Sequence, residues 1–245
     1  MAVLGIVAWC AAVAAAGSAC SYGITFRDCE VTCQVSDPEA CPEGLTCAAG
    51  VCRIEGAGAS CLAPGEETLR QTADDKVERS LEFGCTNPDQ STAAGSWYRV
   101  FPANAGPFTV SKVTLGICFS SGVALGPNVD IHVGTYGGGA NDQSLDLAKV
   151  ARLNSAGVRV APTQISRLVE VPLIATIPAG KNLIVEVEVP DFKGTGQELN
   201  MGFTAGGETK PGYVRSPLCG PAIATKTTAA GLPNAHLVLT VTGTP

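Results

Sequence analysis

The stretch R-L-V-E-V-P-L-I-A-T-I-P-A-G-K-N-L-I-V-E-V-E-V-P, residues 167–190, decides the fold. Apolar or small residues occupy every second position in residues 169–177, and the same pattern resumes in residues 183–189. Alternation with a period of two predicts two strands, each with one buried side and one solvent-facing side. The intervening Pro178–Lys181 contains proline and glycine, so the stretch predicts an antiparallel hairpin.

Length and composition limit both the fold and the function. The chain has 245 residues with 29 glycines and 16 prolines, and only 16% of its residues are charged. This turn-rich, weakly charged composition favours a β-sandwich over a helical bundle. The net charge is −6 and no basic cluster is present, so the sequence predicts no nucleic-acid partner.

The first segment, residues 1–19, is apolar or small throughout. It ends in Gly17–Ala19 before Cys20, which fits a signal-peptidase site and also a bacterial lipobox, whose new N-terminal cysteine is lipidated. A lipobox prefers leucine where this chain has Gly17, and the segment lacks the usual basic residues near its start. We expect a signal peptide at residues 1–19 and lipidation of Cys20. Plain secretion is the second interpretation and a retained membrane anchor is the third.

The second segment, residues 20–61, is rich in cysteine. It has too few apolar residues for a core, so disulfides must supply its stability, each contributing roughly 2–4 kcal/mol. Zinc is the rival explanation, but it usually requires CxxC pairs, and the sequence contains none. Disulfide formation is expected, with no predicted connectivity, for Cys29, Cys33, Cys41, Cys47, Cys52 and Cys61.

The number of cysteines bears on the lipid anchor. Of the eleven cysteines, Cys10 leaves with the signal peptide, and lipidation of Cys20 would leave nine. Because nine is odd, one thiol would then be free or paired between molecules, whereas ten could all pair if Cys20 carries no lipid. In the rest of the chain, Cys118 and Cys219 are isolated and we expect them to pair with each other. The state of Cys85 is left open.

The remainder, residues 62–245, contains short runs of strand character separated by turns rich in glycine. Besides the hairpin, the runs are residues 97–101, 108–119, 129–133, 148–153, 199–205 and 236–242. Residues 66–84 fit either a short helix or edge strands, and we expect strands. Seven or more short strands with regular turns predict an antiparallel β-sandwich of the jelly-roll type.

Two parts of the chain resemble bacterial families. The run C-P-x-G-x-x-C-x-x-G-x-C at residues 41–52 resembles cysteine-rich modules that follow the lipobox in uncharacterised bacterial lipoproteins. The segments W-Y-R-V-F, V-D-I-H-V-G and I-P-A-G-K-N-L-I-V-E-V resemble jelly-roll-like domains of secreted bacterial proteins, most nearly the pre-peptidase C-terminal type. The resemblance implies an accessory, adhesive or carbohydrate-contacting module without catalytic residues.

The sequence contains no recognisable catalytic constellation. The two histidines, His132 and His236, occupy the outward side of their strands and belong to no metalloprotease or serine-hydrolase motif. Glu186 and Glu188 alternate on the predicted wet side of a strand. Paired carboxylates can hydrolyse glycosides, but such alternation is the usual appearance of an antiparallel strand. We therefore predict no catalytic residue, no metal site and no cofactor.

Aromatic residues are the candidate ligand contacts. Tyr98, Tyr136 and Tyr213 could stack sugars at the rim of a sandwich, and Trp97 could do the same. Packing in the core or in a turn is the alternative for each of them. The acidic residues at 74–78 could bind calcium through carboxylate oxygens, but a solvated turn is the expected role.

Together these observations favour an all-β extracytoplasmic protein: a disulfide-stapled module at residues 20–61, then an antiparallel β-sandwich at residues 62–245. We expect a non-catalytic structural, adhesive or carbohydrate-binding role, as an outer-membrane or cell-surface lipoprotein or as a secreted protein. Its partners would be a membrane, through the lipid anchor, and an unknown protein or glycan. A secreted hydrolase with an unrecognised site is the second hypothesis. A protease inhibitor that inserts Leu45 or Arg53 is the third.

Overall fold

The computed structural model describes residues 41–48, 51–54, 65–122, 126–162 and 165–245. The chain divides into two compact units, Met1–Cys61 and Leu62–Pro245. The expectations of a signal peptide at residues 1–19, of lipidation at Cys20 and of disulfides at Cys29, Cys33 and Cys61 lie outside the described residues. Within the described ranges, no helix has the length and apolar character needed to cross a membrane.

The described part of the first unit is a β-hairpin. Its strands, β1 (Leu45–Ala48) and β2 (Val51–Ile54), pair antiparallel. A disulfide joins Cys41 to Cys52, and Cys47 is also disulfide-bonded, as expected for this segment. The two residues considered for protease inhibition, at positions 45 and 53, lie in the strands and not in a protruding loop.

The second unit is built from short and medium strands, with a 3-10 helix at Leu147–Lys149. In chain order the strands are β3 (Glu67–Leu69), β4 (Glu82–Phe83), β5 (Gly95–Phe101), β6 (Phe108–Ser121), β7 (Asn128–Tyr136), β8 (Val150–Arg159), β9 (Ile165–Ile177), β10 (Asn182–Val189), β11 (Glu198–Thr204), β12 (Gly212–Arg215), β13 (Thr225–Lys226), β14 (His236–Leu237) and β15 (Leu239–Thr244).

These strands form two antiparallel sheets. Sheet one has the order β13-β12-β5-β10-β7-β8, and sheet two has the order β14-β11-β6-β15-β3, with β4 beside β11 and β9 beside β6. The apolar sides of both sheets contribute to one core, which includes Trp97 and Val185 from sheet one and Leu115 and Phe203 from sheet two. The predicted all-β antiparallel sandwich is confirmed.

The predicted hairpin at residues 167–190 is wrong in one respect, because its two strands do not pair with each other. β9 pairs with β6 in sheet two, whereas β10 pairs with β5 and β7 in sheet one. The turn at Pro178–Lys181 therefore carries the chain from one sheet to the other, and Gly180 provides its positive φ of 72°. Alternation identifies the buried side of each strand, but it does not identify the strand's partner. Two strands in opposite sheets, with their apolar sides facing each other across the core, show the same alternation as two paired strands.

The disulfide predicted between Cys118 and Cys219 is also wrong. Cys219 is bonded to Cys85, at a sequence separation of 134 and a Cα–Cα distance of 5.6 Å. Cys118 is buried in β6, where its sulfur lies 3.6 Å from the carbonyl oxygen of Arg79. A disulfide requires Cα atoms within about 7 Å, and the strand order that brings residues so close cannot be read from cysteine spacing.

A fully buried arginine, Arg99 of β5, ties the two sheets together. Its guanidinium donates to the carbonyl oxygen of Leu237 in sheet two and, at 2.9 Å, to that of Lys210. It also contacts Gln71 Oε1 at 3.3 Å and forms an ion pair with Glu208 at 3.1 Å. Burial lowers the pKa of Arg99, and the carboxylate opposes this shift. A buried charge of this kind is tolerated only while its partners stay in place.

We predict that Arg99→Ala lowers the free energy of unfolding by about 3–5 kcal/mol, because it removes the guanidinium from a nearly buried carboxylate and leaves buried carbonyl groups without their donor. Urea denaturation followed by the fluorescence of Trp97 measures the change. Arg70→Ala is the matched control, since both members of its ion pair with Asp75 are partly exposed and such pairs contribute at most about 1 kcal/mol. Equal effects of the two substitutions would contradict the structural role of Arg99.

Candidate functional site

The outer side of sheet one, which faces away from the main core, is only partly open to solvent. A second, smaller core covers part of it, and its buried members are Tyr98, Val100, Tyr136, Leu145, Ile184, Tyr213 and Ala224. Two segments pass over this side: residues 137–149, between β7 and β8, and residues 224–226, at β13. They are joined where the backbone N–H of Leu145 donates to the carbonyl oxygen of Ala224 at 2.8 Å. We call these two segments the cover.

The three tyrosines expected to contact a ligand, Tyr98, Tyr136 and Tyr213, are buried in this second core. None has more than 2% of its surface exposed, so their rings are not available for stacking on a sugar. The Tyr213 hydroxyl donates to the carbonyl oxygen of Asp142 at 3.0 Å, and the Tyr136 hydroxyl accepts from the N–H of Asp146 at 3.1 Å. Tyr136 and Tyr213 therefore fasten the cover to the sheet.

A polar cluster begins where the second core ends. His132 of β7 lies directly opposite Glu186 of β10 in the antiparallel register, and Glu188 follows on the same side. Arg152 reaches over from the edge strand β8, placing its Nη2 2.7 Å from Glu186 Oε2 and 3.2 Å from Glu188 Oε2. His132 Nε2 is 3.1 Å from Glu188 Oε2, and its Nδ1 is 2.6 Å from Ser155 Oγ.

Burial of Glu186 is a departure from the sequence prediction, which placed both glutamates on a wet side. Only 7% of Glu186 is exposed, because the second core extends up to it. A buried carboxylate needs a charged or hydrogen-bonding partner, and Arg152 supplies one. Burial alone would lower the pKa of Arg152, but its hydrogen bonds and ion pairs with the two glutamates outweigh burial and raise it.

A cleft of about 310 Å³ opens beside this cluster. It is lined by Ser96, Tyr98, Leu147, Val150, Arg152, Glu186, Glu188 and Arg215. Arg215 donates through Nε to the carbonyl oxygen of Ala222 at 3.2 Å, which holds its guanidinium at the cleft wall. The cleft therefore presents two cationic and two anionic side chains, and its volume falls within the range of small-molecule sites.

The Tyr98 hydroxyl forms part of the wall between the second core and the cleft. Burial raises its pKa well above the usual range; a hydrogen bond from Ser96 opposes this shift and the negative charge of Glu186 adds to it. Burial likewise raises the pKa of Tyr213, and the charge of Asp142 adds to that shift. Both hydroxyls therefore stay protonated, as hydrogen-bond donors, throughout the physiological pH range.

The other sequence candidates lie outside this cluster. His236 is 3.4 Å from the carboxylate that pairs with Arg99. In the acidic turn, Asp75 pairs with Arg70 at 2.6 Å, and Asp74 accepts a hydrogen bond from a hydroxyl group of β11 at 2.8 Å. These carboxylates serve an ion pair and a turn contact.

Sequence reasoning missed the polar cluster as a unit. It placed His132, Glu186 and Glu188 on outward sides of their strands, but it treated each as an ordinary surface residue. The available signal was that the polar residues of V-D-I-H-V and of V-E-V-E-V occupy every second position, so those of each strand lie on one side of it. It becomes informative only once β7 is known to pair with β10, and that pairing follows from the strand order.

No protein-family model and no curated protein matches the chain. Among solved structures, the chain is similar to the cysteine protease and lectin-like domains of Cwp84, a surface layer associated protein of Clostridium difficile, at 11% identity and a TM-score of 0.49. The match covers 76% of this chain and 37% of that chain. Cwp84 after propeptide cleavage matches at 10% identity and the same TM-score, covering 76% of this chain and 42% of that one. At this similarity the matches carry no functional argument.

We predict that the stability of the protein falls at alkaline pH. The pKa values of Tyr98 and Tyr213 are raised above the value of about 10 in the unfolded chain, so above that pH the unfolded state releases protons that the folded state retains. The stabilisation is complete below about pH 10 and is lost as the pH rises further, by up to about 1.4 kcal/mol per pH unit for each tyrosine. Urea denaturation over this range should show a shallower loss for Tyr98→Phe, and identical slopes for the variant and the wild type would contradict the assignment.

Proposed function

We propose that the chain is a non-catalytic extracytoplasmic module that binds a carbohydrate in the cleft beside β10. The observation that carries the proposal is the cleft itself, in which Arg152 and Arg215 stand beside Glu186 and Glu188 on an otherwise covered sheet face. Disulfides in both units support an extracytoplasmic location, because such bonds persist in oxidising compartments.

Carbohydrate is the ligand class that this lining suits. Each sugar hydroxyl donates one hydrogen bond and accepts others, so a wall with guanidinium donors next to carboxylate acceptors can satisfy neighbouring hydroxyls. A volume of about 310 Å³ lies at the lower end of small-molecule sites, which suits one or two sugar units. Leu147 and Val150 provide the apolar contact that the buried tyrosines do not.

The arrangement supports binding better than hydrolysis. A glycosidase needs one carboxyl group protonated as the general acid and a second group ionised. Here a single guanidinium nitrogen of Arg152 contacts both Glu186 and Glu188, so the two groups share one cationic partner and neither is set apart as the acid. We therefore propose that neither glutamate is catalytic, and we expect no turnover of chromogenic glycoside, ester or peptide substrates by the full chain.

We predict that the full chain binds oligosaccharides on a glycan array and in calorimetry, and that Arg215→Ala weakens binding by about tenfold or more. This is the loss expected for removing a charged hydrogen-bond donor from a bound ligand. Glu188→Gln should have a similar effect. Arg167→Ala is the matched control, since that arginine is exposed on β9 of the other sheet. Binding that survives both cleft substitutions, or no binding to any glycan, would overturn the proposal.

We further propose that the mature chain begins at Cys20 and is lipidated there, which would hold the module at a membrane surface. The intact mass of the protein purified from its native membrane should equal that of residues 20–245 plus acyl chains. A mature N-terminus at any other residue would contradict this proposal, and it would leave the binding function in the cleft unaffected.

A further inference from the structure

We infer that His132, Glu186 and Glu188 form a binding site for a divalent transition-metal ion of the zinc class, with Arg152 as the counter-charge that the metal displaces. The site shares Glu186, Glu188 and Arg152 with the wall of the cleft, but it requires no carbohydrate to be bound there.

The ligand atoms are already close to the spacing that zinc requires. One ligand atom from each of the three residues lies within 4.8 Å of the others, and His132 Nε2 is 3.1 Å from Glu188 Oε2. Tetrahedral ligands at roughly 2.0–2.2 Å from zinc lie about 3.4 Å from one another, so the widest separation has to close by about 1.4 Å or less to complete the site. An imidazole with two carboxylates suits zinc and its neighbours better than calcium or magnesium, which prefer oxygen ligands alone.

The histidine is also oriented as a ligand. Ser155 Oγ holds Nδ1 of His132 at 2.6 Å, and this contact leaves Nε2 directed at the carboxylates. Metal-ligating histidines usually have their second ring nitrogen fixed in this way, which sets the tautomer and the ring plane. The three ligands lie on β7 and β10, which pair with each other in the sheet. Glu186 is also more than nine-tenths buried, so the sheet holds the ligands in place.

The guanidinium group of Arg152 already contacts both carboxylates of the proposed site. Arg152 Nη2 contacts both Glu186 and Glu188, and Asp130 lies opposite Glu188 in the register and adds a further negative charge on this side. Arg152 projects from the edge strand β8 and its side chain is 50% exposed, so it can swing into solvent. Because the metal would neutralise the buried carboxylate of Glu186 in place of the guanidinium, displacement of Arg152 leaves no buried charge unpaired.

The test is calorimetric titration of Zn²⁺ into the full, oxidised chain at neutral pH after treatment with a chelator. We expect one saturable site that His132→Ala abolishes, whereas His236→Ala leaves it unchanged. His236 is the matched control, since it is the other histidine of the chain and also lies next to a glutamate, at 3.4 Å from Glu208. Ser155→Ala should weaken zinc binding by about tenfold or more, as expected when the group that orients a ligand is removed.

Arg152→Ala separates a metal site from a purely structural ion pair. If Arg152 competes with the metal, its removal should tighten zinc binding by about fivefold or more, because Arg152→Ala leaves the buried carboxylate of Glu186 without its cation. Electron paramagnetic resonance of the Cu²⁺-loaded chain should show coupling to an imidazole nitrogen that is absent from His132→Ala. Zinc binding that survives His132→Ala, or that Arg152→Ala leaves unchanged or weakens, would overturn the inference. Circular dichroism of each variant confirms that a loss of binding is not a loss of folding.

Discussion

Strand β10 is buried on both of its sides, and this double burial determines where the second unit can place polar groups. Its residues Leu183, Val185, Val187 and Val189 face the main core, while Ile184 on the other side packs into the tyrosine-rich second core. The cover ends partway along the strand, so the next outward residue, Glu186, is buried at the boundary. A carboxylate there must be neutralised by a neighbour, and the edge strand β8 supplies the cation. The polar cluster and its cleft are thus consequences of how far the cover extends.

Arg99 and Arg152 lie on opposite sides of sheet one and differ in burial. The buried arginine has a structural role, whereas the exposed one can exchange its partners. Arg99 is fully enclosed, and its donors are directed at carbonyl groups, an amide oxygen and the carboxylate of Glu208. Moving it would expose several unpaired groups at once, so its role is to fix the two sheets. Arg152 is half exposed and contacts only side chains on a rim. Its exposed side chain can move into solvent when a ligand or a metal takes its place beside the buried carboxylate.

The sequence predicted those parts of the fold that depend on local alternation. The run F-T-V-S-K-V-T-L-G-I-C-F became β6 and W-Y-R-V-F became β5, because each strand must turn its apolar residues to the core whatever its neighbours are. It failed where the answer depended on which strands are neighbours. The turn at Pro178–Lys181 joins two sheets and not two paired strands, and the bonding of Cys219 to Cys85 depends on where a distant loop lies. Alternation also cannot show that a second layer covers the side opposite the core, so it placed Glu186 in solvent.

The tyrosines illustrate why the candidate site was located only approximately from the sequence. Tyr98, Tyr136 and Tyr213 were selected because aromatic rings on a sheet rim can contact a sugar, yet their rings lie one layer beneath the surface. The hydroxyls of Tyr136 and Tyr213 contact the segment that leads into the 3-10 helix. That helix and the start of β8 supply Leu147 and Val150 to the cleft wall. The aromatic residues therefore shape the site by holding its wall, while charged residues that had been assigned to ordinary surface form its lining. Side-chain type indicated the correct region of the sheet, but burial decided which residues can touch a ligand.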